Sequence, residues 1–202
     1  MAYYHDLITE KSWEKLRELR KQYSFVLIGG WAVYLYTKGL KSRDIDFICG
    51  YKELEKLKND YDLIKNDRLR KYEIHIGEFD IDIYVPFFSN LGVPVEELQN
   101  MAKLHEGFWV LWPEPLLILK QKAYEDRRHS AKGRKDFIDI VSLLKNGVDL
   151  KKYKDLLKQY SLVGYSRNLT NMLKHCREVP ELGLGAHAYS RMKKEILKEL
   201  DR

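Results

Sequence analysis

The chain has 202 residues, of which 45% are hydrophobic and 33% charged, and its formal net charge at pH 7 is +6. A chain of this size buries roughly 70% of its unfolded surface, which allows one or two domains with real cores. Its two cysteines, Cys49 and Cys176, lack zinc-type spacing, which argues against a disulfide framework or a structural zinc. Because no segment resembles a signal peptide or approaches the roughly 20 apolar residues of a membrane span, we expect a cytoplasmic protein without membrane contact.

The charge is unevenly distributed along the chain. Residues 101–202 carry 21 Lys and Arg against 13 Asp and Glu, a net +8, whereas residues 1–100 carry 15 against 17, a net −2. Basic surfaces attract and steer polyanions such as nucleic acids. Solvated helix faces explain the same pattern equally well, because lysine-rich stretches such as 151–158 fall on a helix that needs a polar side.

The first predicted element is an amphipathic helix. In SWEKLRELRKQY the apolar residues Trp13, Leu16, Leu19 and Tyr23 recur at helical spacing, and Ser12 is a suitable N-cap. The apolar run FVLI then predicts a short buried strand that ends at a pair of glycines.

Further helices and strands alternate after the glycine pair. WAVYLYTK predicts a helix that Gly39 closes in the C′ position. DIDFIC alternates polar and apolar residues as a half-buried strand does, and YKELEKLKND predicts a helix. The segments YEIHI and FDIDIYVP flank Gly77 and Glu78, which predicts a β-hairpin.

From Pro94 onward the sequence is mostly helical, apart from one more strand at WVLW. The predicted helices are PEPLLILKQKAYEDRR, RKDFIDIVSLLKNG, DLKKYKDLLKQY, YSRNLTNMLKHCRE and HAYSRMKKEILKELDR. We therefore place a domain boundary near Trp112 and Pro113, with an α/β core over residues 1–112 and a helical domain over residues 113–202.

Two carboxylates follow the glycine pair. Asp44 and Asp46 are two residues apart on a predicted strand, so they project from one face, about 7 Å apart. Like charges repel, and a divalent cation that prefers oxygen ligands, Mg²⁺ or Mn²⁺, would bind between them. Gly29 and Gly30 lack a Cβ, so their N–H groups can approach phosphate at a helix N-terminus. Asp-x-Asp alone is common in loops, and it is the combination with the glycines that favours a metal site.

A later predicted strand carries a second pair of carboxylates, Asp80 and Asp82, which also share one face. If this strand lies next to DIDFIC, one of the two completes a three-carboxylate cluster. Such a cluster can hold two metal ions roughly 4 Å apart for an in-line phosphoryl displacement. Strand periodicity alone leaves open which of the two aspartates takes part.

These segments, GGWAVYLYTKGLKSRDIDF and IDIYVP, resemble the signature of the nucleotidyltransferase superfamily with the DNA polymerase β-like fold. That signature is Gly-Gly or Gly-Ser, a helix, Asp-x-Asp and a later strand aspartate. The resemblance implies an α+β fold, in which a mixed sheet with flanking helices is followed by a C-terminal helical domain. It also implies Asp44, Asp46 and Asp82 as catalytic metal ligands, with Asp82 preferred to Asp80 because the family's aspartate stands in an Ile-Asp-Ile context.

The segment LLILKQKAYEDRRHSAKGRKDFIDIVSLL is similar to the Lys-x-x-Ala, Arg and Lys-Asp-x-x-Asp arrangement of minimal transferases related to AbiEii toxins. The similarity implies that Lys120 lies near the nucleotide phosphates, with Asp136 close by. Further residues implied at this place are Arg127 or Arg128, Lys135 and Asp139. Lys120 could instead be a helix residue that extends from an apolar face, and Asp136 could cap its helix or pair with a neighbouring cation.

The resemblance also implies residues that bind the triphosphate, namely Gly29, Gly30 and Ser42. The family's common Arg-x-Thr-x-Asp-x-Asp is altered here, with Leu40 in place of the arginine and Ser42 in place of the threonine. Arg43 is therefore the candidate for the phosphate-binding arginine.

The implied activity is metal-dependent transfer of a nucleoside monophosphate from a nucleoside triphosphate to an acceptor hydroxyl, with release of pyrophosphate. The basic helical half favours an RNA acceptor such as a tRNA end. The similarity to AbiEii-type toxins suggests a toxin of a toxin–antitoxin system with an antitoxin protein as partner. The alternative is a non-catalytic module of the same fold that binds nucleic acid or a partner protein. The sequence has no GxxxxGK[ST] motif, which argues against a P-loop NTPase.

Overall fold

The structure, a computed structural model, describes the backbone of residues 2–201 and the side chains of residues 6–201. The chain divides into two compact units, the N-terminal unit (Met1–Trp112) and the C-terminal unit (Pro113–Arg202). The strands of the described part all lie in the N-terminal unit, and the C-terminal unit is helical. None of the helices within residues 2–201 combines the length and the apolar character that crossing a membrane requires.

A seven-stranded sheet organises the N-terminal unit, with the strand order β3-β4-β5-β2-β1-β7-β6. Its strands are β1 (Val26–Ile28), β2 (Ile45–Ile48), β3 (Ile64–Asn66), β4 (Lys71–Ile76), β5 (Phe79–Tyr84), β6 (Ala102–His105) and β7 (Phe108–Leu111). The pairs β1/β7 and β2/β5 are parallel and the other neighbouring pairs are antiparallel. The mixed sheet confirms the predicted α+β class. The two edge strands, β3 and β6, were not predicted, because IKN and AKLH carry little apolar periodicity.

Helices α1 (Ala2–Gln22), α2 (Gly29–Thr37), α3 (Tyr51–Asp60) and α4 (Val95–Leu98) accompany the sheet. Helix α1 begins well before Ser12, so the prediction that Ser12 caps this helix is wrong. Ser12 is fully buried, and its Oγ accepts a 2.9 Å hydrogen bond from Trp31 Nε1. A tertiary partner on α2 therefore uses the hydroxyl that the sequence suggested for a cap.

Helix α2 begins at Gly29, two residues before the predicted start at Trp31, and it ends at Thr37, one residue earlier than expected. Lys38, with φ 51°, takes the left-handed conformation, and its N–H donates to Tyr34 O. Thr37 Oγ1 donates to Val33 O at 2.9 Å and accepts from Gly39 N at 3.2 Å. The prediction that Gly39 closes the helix is therefore wrong, because Lys38 already makes the left-handed turn.

Alternation along the strands decides which side chains face the core. In β5, Phe79, Ile81 and Ile83 are buried, whereas Asp80 and Asp82 on the opposite face are half-buried. Fully burying an aliphatic or aromatic side chain of this kind stabilises a fold by about 1.5–3 kcal/mol. Apolar burial on one face thus fixes the register of β5 and leaves its carboxylates on the other face.

The C-terminal unit consists of five α-helices in the described part. They are α5 (Pro113–Arg127), α6 (Ala131–Lys145), α7 (Leu150–Gln159), α8 (Gly164–His175) and α9 (Ala186–Leu200). Ser130 caps α6 by accepting from Gly133 N, and Asp149 caps α7 by accepting from the backbone N–H groups of Lys151 and Lys152. The middle of α5 is buried on every side, including the polar side chains of Lys120 and Gln121. A buried lysine needs a partner of opposite charge.

Candidate active site

Asp46 and Asp82 lie side by side in the sheet of the N-terminal unit. Strands β2 and β5 are adjacent and parallel, and their register pairs Asp46 with Asp82. Residues paired across neighbouring strands project from the same face of a sheet. The strand adjacency on which the three-carboxylate hypothesis depended is therefore present. The assignment of Asp82 as a metal ligand stays a prediction.

Gly29 brings the backbone close to the Asp46 carboxylate. Strand β1 pairs Ile28 with Asp46, and Gly29 follows with φ 66°. A Cβ added at Gly29 would overlap the Asp46 carboxylate and lie only 2.5 Å from its Cγ. Both the left-handed backbone and the close approach require glycine. Since Gly29 and the buried Gly30 open α2, the predicted phosphate-binding N–H groups and a predicted metal ligand meet at this point.

Asp44 lies directly before β2 and is engaged by Arg43. Arg43 Nε donates to Asp44 Oδ1 at 3.0 Å, and the Asp80 N–H approaches the same oxygen at 3.5 Å. The hydrogen bond and the charge of Asp44 raise the pKa of Arg43. The arginine that was predicted to contact phosphate therefore neutralises a predicted metal ligand in this structure. Ser42, the other predicted triphosphate contact before β2, is buried.

Strand β4 adds two charged residues that the sequence analysis did not single out, Lys71 and Glu73. The register pairs Glu73 with Asp82, so Asp46, Asp82 and Glu73 form one row across β2, β5 and β4. Lys71 Nζ lies 2.6 Å from Asp82 Oδ2 and 2.8 Å from Glu73 Oε1. We call these four residues the carboxylate row. It brings three acids and one lysine together on one face of the sheet.

The carboxylate row leaves Asp82 incompletely neutralised. Asp82 Oδ2 is held by Lys71, but Oδ1 is buried and accepts no hydrogen bond from any described residue. Burial and the neighbouring Asp46 carboxylate raise the pKa of Asp82 to about 7, against the opposing effect of Lys71. Burial also disfavours the Glu73 carboxylate, but contact with Lys71 and Asn66 outweighs it and lowers the pKa of Glu73. Asp82 therefore keeps one buried oxygen that Lys71 does not engage.

The donor set suits a hard divalent cation, although the ligands are not assembled as a finished site. Carboxylate oxygens are the preferred ligands of Mg²⁺ and Mn²⁺, and the buried Asp82 Oδ1 offers an unused acceptor beside Asp46. Within residues 6–201, however, no three His, Cys, Asp or Glu side chains stand in an arrangement that could hold a metal ion. Asp44 faces Arg43 and Asp82 faces Lys71 instead. Metal binding would require these ion pairs to exchange partners.

A signal in the sequence could have identified Glu73 and Lys71. The tight turn at Gly77 and Glu78 pairs Ile76 with Phe79, and counting back from that pair places Glu73 opposite Asp82. The same count places His75 opposite Asp80, and His75 Nδ1 lies 2.7 Å from Asp80 Oδ1. The register of the hairpin thus determines which polar residues of β4 and β5 lie opposite each other.

Lys120 and Asp136 lie in a buried ionic network of the C-terminal unit. Lys120 Nζ lies 3.3 Å from Asp136 Oδ1 and 2.6 Å from Asp139 Oδ2, and the three side chains are 8%, 2% and 1% exposed. Arg127 on α5 binds Asp136 through two hydrogen bonds, of 2.7 and 3.0 Å. We call these four residues the helical ion network. Arg134, which is close to Asp136 in the chain, binds Glu181 instead.

Comparisons with solved structures bear on the fold. A protein from H. pylori described as a candidate nucleotidyltransferase matches with a TM-score of 0.54 and 20% identity, covering 96% of each chain. JHP933 from Helicobacter pylori matches at 0.46 and 21% identity, covering 93% of this chain and 91% of that one. The Megavirus polyadenylate synthase matches at 0.45 and 18% identity, covering 71% of this chain and 32% of that one. The last two scores are too low to support an argument.

The chain has the nucleotidyltransferase fold, as the resemblance in its sequence predicted, because the first of these matches extends over nearly the whole of both chains. No protein-family model matches the chain, and no curated protein matches it in sequence. The finer prediction of an AbiEii-like transferase stays a prediction.

Proposed function

We propose that the protein is a metal-dependent nucleotidyltransferase, which transfers a nucleoside monophosphate from a nucleoside triphosphate to an acceptor hydroxyl and releases pyrophosphate. The observation that carries this proposal is the pairing of Asp46 with Asp82 beside Gly29, at the start of α2. A helix N-terminus favours phosphate, and paired carboxylates favour a divalent cation. Both groups are needed to hold a triphosphate for transfer.

Asp44, Asp46 and Asp82 would hold the metal, Mg²⁺ or Mn²⁺. When bound, such ions neutralise the charge that develops on the phosphoryl oxygens and leaving group. The Asp46 carboxylate lies directly against Gly29, where a Cβ would overlap it. Asp44 and Asp82 would have to exchange Arg43 and Lys71 for the ion.

The residues before β2 and at the start of α2 would bind the triphosphate. Gly29 and Gly30 lie in the first turn of α2, where helix N–H groups lack partners within the helix. Ser42 would donate its hydroxyl to a phosphate oxygen. Arg43, once released from Asp44, could turn its guanidinium to phosphate, which it suits because its donors are arranged to bind two oxygens.

In the transfer itself, the acceptor oxygen forms a bond to the α-phosphorus while the bond from that phosphorus to the α,β-bridging oxygen breaks. Pyrophosphate leaves with the bonding electrons. The proton of the acceptor hydroxyl passes to Asp82 or through it to water. Electrostatic stabilisation is expected to be the main catalytic contribution.

For the C-terminal unit we propose that Lys120 and Asp136 contribute to nucleotide binding as the resemblance implies. Lys120 is enclosed by two carboxylates, whereas the side chain of Arg127 is 42% exposed. Arg127 is therefore the member of the helical ion network most accessible to a phosphate. In this proposal Asp136 and Lys120 hold the Arg127 guanidinium in place.

The acceptor we favour is RNA, such as a tRNA end. Lys151, Lys152 and Lys158 on α7 are exposed, as an RNA-binding surface requires, although a solvated helix face would show the same exposure. By the same resemblance we propose a cytoplasmic toxin whose partner is an antitoxin protein.

The test is to incubate the protein with each α-labelled nucleoside triphosphate, Mg²⁺ or Mn²⁺ and total RNA, and to measure label in RNA and in protein. Asp46→Asn should lose at least about 100-fold in rate, the scale of losing one main electrostatic contribution to the transition state. Asp67→Asn is the matched control, because Asp67 is 75% exposed and pairs only with Lys65 among the contacts of the described residues.

Two outcomes separate the proposal from its alternative. If neither RNA nor protein gains label above the Asp46→Asn level with any nucleotide, while the protein still binds RNA, the non-catalytic module is supported. If label appears in protein rather than RNA, the reaction class stands and the acceptor is a protein side chain.

A further inference from the structure

Lys71 supplies the positive charge of the carboxylate row. Its ammonium is 2.6 Å from Asp82 and 2.8 Å from Glu73, and the three side chains are only 12%, 16% and 16% exposed. Charges so enclosed interact more strongly than surface pairs, because water screens them less. The lysine is therefore a part of the site's electrostatics and not a solvated surface residue.

The position of Lys71 matters because it occupies one of the two carboxylate oxygens through which Asp82 could bind a metal. Lys71 Nζ holds Oδ2, and Oδ1 beside it is buried without a hydrogen bond. An ammonium and a divalent ion cannot both stay in close contact with one carboxylate without repelling each other. Glu73, on the same strand as Lys71, offers the ammonium a second acceptor that lies outside the predicted ligand set.

We propose that Lys71 is a built-in counter-cation that competes with the divalent metal for Asp82, and that Glu73 retains Lys71 when the metal enters. This inference rests on the proposed function, since it takes Asp46 and Asp82 as metal ligands. Without metal, Lys71 bridges Asp82 and Glu73 and neutralises part of their charge. With metal, Asp82 turns to the ion and Lys71 stays with Glu73. Lys71 thereby weakens metal binding to the nucleotide-free protein.

The test measures Mn²⁺ binding directly, from the loss of the free Mn²⁺ signal in electron paramagnetic resonance, with no nucleotide present. Lys71→Met removes the charge and keeps the length of the side chain, so it should tighten Mn²⁺ binding by about tenfold or more, the scale of a contact between enclosed charges. Lys71→Arg keeps the charge and should bind Mn²⁺ no more tightly than the wild type. Lys65→Met is the matched control on the neighbouring strand β3, where Lys65 is 49% exposed, and it should change nothing.

Glu73 has the opposite expected effect. Glu73→Gln leaves Lys71 with Asp82 as its only carboxylate, so Mn²⁺ binding should weaken severalfold. In the Lys71→Met background the same substitution should have a much smaller effect, because there is no ammonium left to retain. Equal effects in both backgrounds would mean that Glu73 acts only through its own charge, which would overturn its assigned role.

Two results distinguish the failure of this inference from that of the proposed function. If Mn²⁺ binds and Asp46→Asn abolishes binding, but Lys71→Met leaves the affinity unchanged, Lys71 is structural and the inference is wrong while the function stands. If no variant binds Mn²⁺ at millimolar concentration without nucleotide, this inference is wrong, and the labelling experiment decides the proposed function separately. If Lys71→Met does not fold, as judged by circular dichroism in EDTA, Lys71→Gln replaces it, because a neutral amide can still donate to both carboxylates, and the same tightening is expected.

Discussion

The carboxylate row and the helical ion network each bring four ionisable side chains together, but their charges add up differently. The helical ion network contains two cations and two carboxylates, and Lys120, Asp136 and Asp139 are almost entirely buried. The carboxylate row contains three acids and one lysine, and its members are half-buried. The formal charges of the helical ion network cancel, whereas those of the carboxylate row leave an excess of negative charge.

The difference teaches which cluster depends on an outside ligand. A buried cluster must be neutral to be tolerated, since an isolated buried charge costs several kcal/mol. The formal charges of the helical ion network cancel, so removing any member should destabilise the fold, even though neither oxygen of Asp139 accepts a hydrogen bond from a described residue. The carboxylate row is only partly compensated, so removing an acid should relieve repulsion. Function is expected where the protein leaves charge uncompensated, and stability where it does not.

The largest expected loss of stability follows from a substitution in the helical ion network. Asp136→Asn leaves Lys120 and Arg127 without their shared carboxylate, and breaking a buried pair in this way costs about 3–5 kcal/mol of unfolding free energy. Urea denaturation at pH 7 measures the loss. Asp126→Asn on α5 is the control, because Asp126 is 60% exposed and pairs with Lys122 at the surface, and it should change the free energy by less than about 0.5 kcal/mol. Similar losses for both would remove the basis of the comparison.

A smaller loss of stability is expected from a substitution at Gly29. Here the close approach of the backbone, and not a charge pair, determines the position of Asp46. Gly29→Ala combines a left-handed backbone with a Cβ that overlaps the Asp46 carboxylate, which should cost about 2–4 kcal/mol from the strain and the overpacking. Gly50→Ala is the matched control, since a Cβ there meets nothing within 4 Å. Thermal unfolding compares the two. An unaffected Gly29→Ala would show that Asp46 can move away from α2 without cost.

Asp82→Asn should change the free energy of unfolding in the opposite direction to Asp136→Asn, or leave it almost unchanged. The substitution removes an acid that burial and Asp46 already disfavour, so in EDTA at pH 7 we expect the free energy of unfolding to rise or to change by less than about 1 kcal/mol. Nucleotide transfer by the same variant should nevertheless fall at least about 100-fold. A loss of stability as large as that of Asp136→Asn would show that the row is balanced after all.

The last expected effect is a pH dependence of that difference. The groups that face Asp82 are Asp46 on β2 and Lys71 and Glu73 on β4. Because the folded protein holds the Asp82 pKa above its unfolded value, the folded state binds more protons between the two values, and stability falls as pH rises through that window. The Asp82→Asn variant lacks this titrating group. In EDTA its free energy of unfolding, relative to that of the wild type, should therefore rise by about 1 kcal/mol or more between pH 5 and pH 8. A constant difference would mean that Asp82 has an ordinary pKa.

Much of the fold could be predicted from local patterns. The strands around FVLI, DIDFIC and the hairpin, and the helices from Pro113 onward, follow from periodicity and turn residues. The chain also divides where the strand-rich and helix-rich segments meet, between Trp112 and Pro113. The predicted helix ends at Ser12 and Gly39 were wrong, because Ser12 lies inside α1 and accepts a hydrogen bond from Trp31, and because Lys38 makes the left-handed turn before Gly39.

By itself, the sequence determined which residue types are available for chemistry and which of them share a face. Alternation placed Asp44 with Asp46 and Asp80 with Asp82, because the side-chain period of a strand is two. Tertiary structure alone decided that Asp82 is the neighbour of Asp46, that Lys71 and Glu73 complete their row, and that Asp136 is neutralised from α5. These facts depend on strand order and helix packing, which bring together residues that are distant in the chain, so the charge of each site could be counted only once the chain was folded.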